Sequence, residues 1–160
     1  MGKRPIRKIP RVMAGMFGRI DQLEKERRAA AIAKPMRNLM DLLASGEAYE
    51  IGGQVVMRMP EIDKVFAERA EWVEVAPAVE GWIDCWQRLA PDLPSYNLGV
   101  MAKRLREDKP LTVRLIEQAR AEFDAHVARL VEIPDDQIRS AITTTQLAWE
   151  FEKINMEKAA

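Results

Sequence analysis

Apolar residues recur at helical spacing through almost the whole chain. The clearest stretch follows Pro77, where the positions of Val79, Trp82, Trp86 and Leu89 match one buried helix face. Comparable stripes run through residues 13–43, 62–73, 98–105, 115–130 and 138–154. A chain dominated by this period is expected to bury its apolar residues by packing helix on helix.

Proline and glycine divide the stripes into elements. Pro35 is expected to break or restart the first helix, because the proline ring clashes with the preceding turn. The period changes in residues 48–58, where Gly52 and Gly53 separate two short segments and predict a two-residue β-hairpin. We predict a mainly α fold, a compact bundle of six to seven helices with one short β-hairpin and a basic N-terminal arm. Residues 1–11 would be the flexible arm and residues 12–160 a single helical domain.

The charges are unevenly distributed although they balance overall. Residues 1–40 hold 11 basic and 3 acidic side chains, whereas residues 41–100 hold 4 basic and 11 acidic ones. Such a bipolar chain is suited to binding a polyanion or to head-to-tail association.

The basic side chains suggest nucleic-acid contacts. Pro5 and Pro10 would keep the arm extended, and extended basic arms follow phosphates or enter a minor groove. A helix-turn-helix within residues 96–123 would add contacts, although Glu107 and Asp108 in its connection favour a plain helical hairpin. The predicted nucleic-acid-binding residues are Lys3, Arg4, Arg7, Lys8, Arg11, Arg19, Lys103, Arg104, Arg106 and Arg114. A small regulatory or architectural nucleic-acid-binding protein is therefore the leading interpretation, with a solvated tail or docking onto an acidic protein as alternatives for the arm.

The acidic middle of the chain supports a second interpretation. Trp72 lies off the neighbouring apolar stripe and among the carboxylates Glu68, Glu71 and Glu74, which is typical of a partner-binding face. Trp82 and Trp86 are instead expected in the core. The chain would then be a protein-binding adaptor or inhibitor, of the kind found among phage and plasmid accessory proteins, with homo-oligomers formed between basic and acidic segments.

Catalytic and metal-binding patterns are scarce. His126 is the only histidine and Cys85 the only cysteine, which excludes two-histidine zinc motifs and cysteine clusters. Glu122 and His126 have ligand spacing on one helix, but we expect a lone histidine beside an apolar stripe to be hydrogen-bonded. We therefore predict a non-enzymatic protein without cofactor or metal.

Cysteine content and hydropathy bear on the compartment. A single cysteine cannot form an intramolecular disulfide, which fits the cytoplasm. The sequence also lacks the roughly 18 consecutive apolar residues of a membrane helix, so we expect no membrane partner.

Overall fold

The computed structural model of the chain describes residues 11–62 and 71–159, with side chains described from residue 18 onward. The α-helices of these ranges are α1 (Arg11–Ala44), α2 (Ala76–Leu89), α3 (Tyr96–Arg106), α4 (Val113–Leu130) and α5 (Asp135–Ala159). The strands are β1 (Glu47–Ile51), β2 (Gln54–Arg58) and β3 (Leu111–Thr112), and a short 3₁₀-helix spans Trp72–Val75. The mainly helical fold is confirmed, whereas six to seven helices is wrong, since the described residues form five α-helices.

Pro35 accounts for part of that error. It lies inside α1, which continues without a break from Arg11 to Ala44. An internal proline costs one backbone hydrogen bond and about 3 kcal/mol. Here Ala33, two residues before the proline, and Met36, directly after it, are both buried in the core. Their packing on each side of Pro35 holds the two halves in line, so one long helix replaces the predicted two.

The helix expected over the apolar stripe of residues 62–73 lies mostly outside the described part of the chain, which omits residues 63–70. At the end of this stripe, Trp72–Val75 form the 3₁₀-helix. This 3₁₀-helix runs directly into α2, whose first turn holds Pro77 as expected. The predicted arm falls almost wholly outside the described residues, since α1 begins at Arg11.

The predicted hairpin is formed by β1 and β2. Gly52 and Gly53 have φ angles of 56° and 81°, the left-handed values that such a turn requires, and Ile51 pairs with Gln54. Gly46 is needed at the entry to β1, because a Cβ there would clash with the carbonyl oxygen of Arg58.

A third strand was not predicted. β3 pairs antiparallel with β2, matching Met57 to Leu111, and extends the hairpin to a three-stranded sheet in the order β1-β2-β3. It ends at Thr112, whose hydroxyl accepts a hydrogen bond from the backbone N–H of Leu115 and caps α4.

The central helix α4 organises the core. Its buried residues Ile116, Ala119 and Phe123 belong to a cluster that also includes Met40 of α1 and Met101 of α3. A second cluster joins α1, α2, α5 and the end of α4 through Ala29, Trp86, Leu130, Ile133 and Ile138. None of the described helices is long and apolar enough to cross a membrane.

Two helix ends extend beyond this core. In residues 18–27 of α1, Lys25 is half-buried and all the other residues are exposed. All side chains from Glu150 to Ala159 of α5 are exposed. Each helix therefore has one half that packs in the core and one half that projects from it.

Candidate functional site

A groove of about 870 Å³ separates α1 from α5. Arg28 of α1 and Asp135 of α5 form a salt bridge of 2.7 Å. Beyond this salt bridge, α1 lines the groove with residues from Ile32 to Leu39 and α5 with residues from Ile138 to Glu150. The floor is α2, through Ala78, Gly81, Trp82, Cys85, Trp86 and Leu89. The groove is therefore a trough between two helices, laid over a third.

The groove is apolar with a negative rim. Among the described residues that line it, Glu74 and Glu150 carry carboxylates and none carries a cationic side chain. Apolar floors with a few charged groups are typical of sites that bind another molecule. The described lining offers no positive charge to hold an acidic ligand and two negative charges to hold a basic one.

Contacts between α2 and α5 fix one wall. The indole Nε1 of Trp149 donates to Asp84 Oδ2 at 2.8 Å. A Cβ built on Gly81 would lie 3.7 Å from the Trp149 ring, an ordinary contact distance, so α2 and α5 approach each other closely at this point. One turn earlier in α5, the buried Thr145 hydroxyl donates to the Ala141 carbonyl oxygen and accepts from Arg88 at 3.3 Å. These contacts tie α5 to the floor without filling the trough.

Cys85 faces the groove from α2 and is half-buried. Burial raises the pKa of its thiol, against the opposing effects of a hydrogen bond with Thr145 and the charge of Arg88. A raised pKa keeps the sulfur protonated, and a protonated thiol is a poor nucleophile. Cys85 therefore contributes apolar surface to the groove.

His126 supports the floor from below. Its ring is fully buried and stacks on Trp86, with centroids 4.5 Å apart and planes 12° apart. Trp82 Nε1 donates to His126 Nδ1 at 3.0 Å. An indole N–H can only donate, so Nδ1 is unprotonated and Nε2 carries the proton of the neutral ring. Burial lowers the pKa of His126 from 6.5 to about 4, so the ring stays neutral near pH 7.

The same tautomer excludes a serine–histidine nucleophile pair here. Ser95 Oγ lies 3.3 Å from His126 Nε2. Because Nε2 already carries the proton, it cannot accept one from the hydroxyl, as a general base must. His126 is therefore a structural residue that joins α2 to the loop before α3.

Glu122, one turn before His126, has a capping role. Its buried carboxylate accepts hydrogen bonds from the backbone N–H groups of Asn97 and Leu98 at 3.2 and 2.9 Å. These groups open α3, where amides lack intrahelical partners and the helix dipole favours an anion. Glu122 and His126 are thus both occupied by hydrogen bonds. Among the described residues no group of three or more His, Cys, Asp and Glu side chains is placed to hold a metal ion.

The predicted nucleic-acid-binding residues are not gathered on one described face. Residues Lys3, Arg4, Arg7 and Lys8 lie outside the described part, and for Arg11 only the backbone is described. Arg19 is exposed on the projecting half of α1. The remaining four, Lys103, Arg104, Arg106 and Arg114, lie at the end of α3 and the start of α4.

The connection between α3 and α4 is locally positive. Arg106 pairs with Glu80 through two hydrogen bonds of 2.8 and 2.7 Å, which neutralises its charge. Lys103 and Arg114 are exposed. The pKa of Glu107 is lowered by a hydrogen bond from Lys109 and by the charges of Lys109, Lys103 and Arg104. A cationic turn therefore remains after the Arg106 pair is formed.

The predicted partner-binding residues lie near the groove but contribute unequally to it. Glu68 lies outside the described residues. Trp72 is half-buried against the core, and its Nε1 donates to the Pro60 carbonyl oxygen at 2.8 Å. Glu71 and Glu74 cap the 3₁₀-helix reciprocally. Of the four predicted residues, Glu74 lines the groove.

Sequence reasoning missed the two walls of the groove. The apolar residues of α1 and α5 were assigned to core stripes, and the sequence does not indicate that the two helices leave a gap between them. Trp149 was a detectable signal, because large aromatic residues are enriched at binding sites.

Comparison with protein-family models, with curated proteins and with solved structures finds no match for this chain.

Proposed function

We propose that this chain is a non-catalytic adaptor or inhibitor that binds a basic amphipathic helix of a protein partner in the groove between α1 and α5. The observation that carries the proposal is the groove itself, an apolar trough of about 870 Å³ with two tryptophans in its floor and Trp149 in its wall. Helix-in-groove recognition uses apolar side chains at i, i+3 and i+7 pressed into such a trough.

Charge selects the kind of helix. Glu74 and Glu150 line the groove and no described lining residue is cationic. A helix with Lys or Arg flanking its apolar stripe would be attracted, whereas one with Glu or Asp would be repelled. The same charges disfavour a fatty acid or a phosphate-bearing ligand.

The polar groups near the floor also favour binding over catalysis. His126 is held as a neutral ring with the proton on Nε2, and the Cys85 thiol has a raised pKa. Neither group is poised for proton transfer or nucleophilic attack. An apolar docking surface needs neither.

A designed helical peptide tests the proposal. It would carry Leu at i, i+3, i+7 and i+10 with Lys on the polar face, and its fluorescence anisotropy would be followed with the full chain. The exposed Ala78 lines the groove, so Ala78→Arg places a bulky cation there. We expect this variant to bind at least about tenfold more weakly, which corresponds to about 1.4 kcal/mol.

The matched control is Ala125→Arg. Ala125 is also exposed in a helix but lies on α4, outside the groove lining. It should leave peptide affinity unchanged. The proposal fails if the Lys-bearing peptide does not saturate, or if the same peptide with Glu on its polar face binds equally well.

Nucleic-acid binding is the second candidate function. It is supported by the basic residues of the predicted arm and by the cationic turn between α3 and α4. Such binding would weaken steeply with salt, because neutralised phosphates release counterions. We expect removal of residues 1–11 to abolish it and largely to spare peptide binding.

Arginine variants refine that test. Arg114→Ala removes an exposed cation, whereas Arg106→Ala removes one already paired with Glu80. Anisotropy with labelled duplex and single-stranded DNA and RNA should therefore show the larger loss for Arg114→Ala. Absence of binding even at low salt would exclude this second function.

A further inference from the structure

The projecting half of α1 has an apolar face that the described chain leaves uncovered. The side chains of Ile20 and Leu23 are 50% and 52% exposed. At about 100° per residue, they lie roughly 120–180° around the helix from the stripe that places Ala29, Ala33 and Met36 in the core. In the sequence, apolar residues also occupy positions 13 and 16, at the same spacing. The apolar face of α1 thus changes sides where the helix leaves the core.

This face matches what the groove is proposed to bind. Positions 13, 16, 20 and 23 follow the i, i+3, i+7 and i+10 pattern of a helix that lies in a groove. Residues 1–28 also carry nine basic and three acidic side chains. The segment is therefore basic and amphipathic, and the groove lining is apolar with two carboxylates.

The segment cannot occupy the groove of its own chain. Residues 32–39 of α1 form a groove wall, and α1 is one uninterrupted helix from Arg11 to Ala44. The Arg28–Asp135 salt bridge lies between that wall and the projecting half. A straight helix of 18 residues before this point extends about 27 Å away from it. An occupant from this sequence must therefore come from another molecule.

Charge distinguishes α1 from the other projecting helix. The exposed end of α5 also has an apolar stripe, formed by Leu147, Phe151 and Ile154. Residues 150–159 hold three acidic and two basic side chains, however, and Glu150 itself lines the groove. The end of α5 would bring further carboxylates to a rim that is already negative, so α1 is the complementary helix.

We infer that the groove of one copy binds the N-terminal half of α1 from a second copy of this chain. The inference rests on the proposed helix-binding function of the groove and names its partner. Reciprocal binding places two identical grooves and two identical helices in a closed two-fold dimer, the commonest symmetry of soluble oligomers. Each copy then covers the apolar face that the other exposes.

Sedimentation velocity over a range of protein concentrations tests the association. We expect the full chain to form a dimer and Leu23→Glu to shift its dissociation constant at least tenfold towards monomer. Leu23 is half exposed, so this variant should fold, which its thermal unfolding curve would verify. The control is Gln22→Glu, which adds the same charge one residue away on the opposite face. A monomer at all concentrations, or equal effects of the two variants, would overturn the inference.

Cross-linking tests which surfaces meet. Cys85 is the only native thiol, and Cys85→Ser removes it so that introduced thiols alone react. In that background, Ala78→Cys places an exposed thiol in the groove. With Ile20→Cys in the same chain, a short bis-maleimide should link two chains between residues 20 and 78, as peptide mass spectrometry would show. Gln22→Cys in place of Ile20→Cys is the control that should give little of this product. A dimer without the 20–78 link would use another surface, and the inference would be wrong.

The designed peptide separates this inference from the proposed function. If the chain is monomeric but the Lys-bearing peptide binds and Ala78→Arg weakens it, the groove binds helices of other proteins and self-association is wrong. If neither the peptide nor a second copy binds, both proposals fail. If the dimer forms, the peptide should compete with it and raise the monomer fraction.

Discussion

The two sides of α2 are packed very differently. On the side that faces α4, Trp82 and Trp86 contact Phe123 and His126 with ring centroids 4.5 to 6.3 Å apart. On the side that faces α5, the same helix is the floor of the open groove. Among the described residues every buried side-chain nitrogen and oxygen has a hydrogen-bond partner. One side of α2 thus supplies stability, and the other offers the surface that we assign to a partner.

Cavity-forming substitutions on the two sides should separate these roles most clearly. Phe123 is fully buried, so Phe123→Ala leaves a cavity and should lower the free energy of unfolding by about 3–5 kcal/mol. Ile142 is half-buried at the groove, where space already exists, and Ile142→Ala should cost about 1 kcal/mol. Urea unfolding measures both values. Equal losses would mean that the groove is closed in solution.

Acid should weaken the packed side through His126. Its pKa is about 4 in the folded chain against 6.5 for an ordinary histidine. As the pH falls below 6.5, the unfolded chain takes up a proton that the folded chain does not. The stability from the neutral ring is therefore complete above pH 6.5, falls between pH 6.5 and 4, and is lost below pH 4. We expect a loss of about 2–3 kcal/mol by pH 4, since each unit between the two pKa values corresponds to about 1.4 kcal/mol.

The single histidine makes this prediction direct to check. The ring protons of His126 give one resolvable titration by NMR, and urea unfolding at pH 7 and pH 4.5 gives the change in stability. Ring protons that titrate near pH 6.5 would show that water reaches the ring, and the two sides of α2 would then differ less than their geometry indicates.

Local patterns allowed much of the packed side to be predicted. The period of α2 and α4, the glycines of the hairpin and the Thr112 cap each act within a few residues, so the sequence alone reveals them. Pro35 was misjudged because its cost is local, whereas the burial of Ala33 and Met36 that offsets it depends on tertiary packing. β3 was missed because two residues carry no detectable period.

The groove could not be predicted for a related reason. Ile32 and Ile142 have the spacing of core residues, and nothing local distinguishes a helix face that touches its neighbour from one that stops short of it. The roles of Glu122 and His126 depend on Ser95 and the first turn of α3, some 24 to 31 residues away in sequence. The position of His126 beside an apolar stripe predicts that its ring is hydrogen-bonded. Its partners can be identified only in the folded structure.

Glu122 should have a smaller effect on stability than Phe123 or His126, and it should separate stability from binding. Glu122→Ala removes the acceptor for the Asn97 and Leu98 amides and should lower the free energy of unfolding by about 1–2 kcal/mol. These two amides should then exchange their hydrogens faster. Glu122→Gln keeps one acceptor oxygen and should cost less. The exposed Glu117, on the same helix, provides the control Glu117→Ala, which should change stability little.

Peptide binding should not depend on Glu122. Because Glu122 lies on α4 and outside the groove lining, peptide affinity should be unchanged in both Glu122 variants. A variant that weakens peptide binding while remaining folded would show that the cap of α3 and the groove are coupled through α2, and that the two sides of this helix do not act independently.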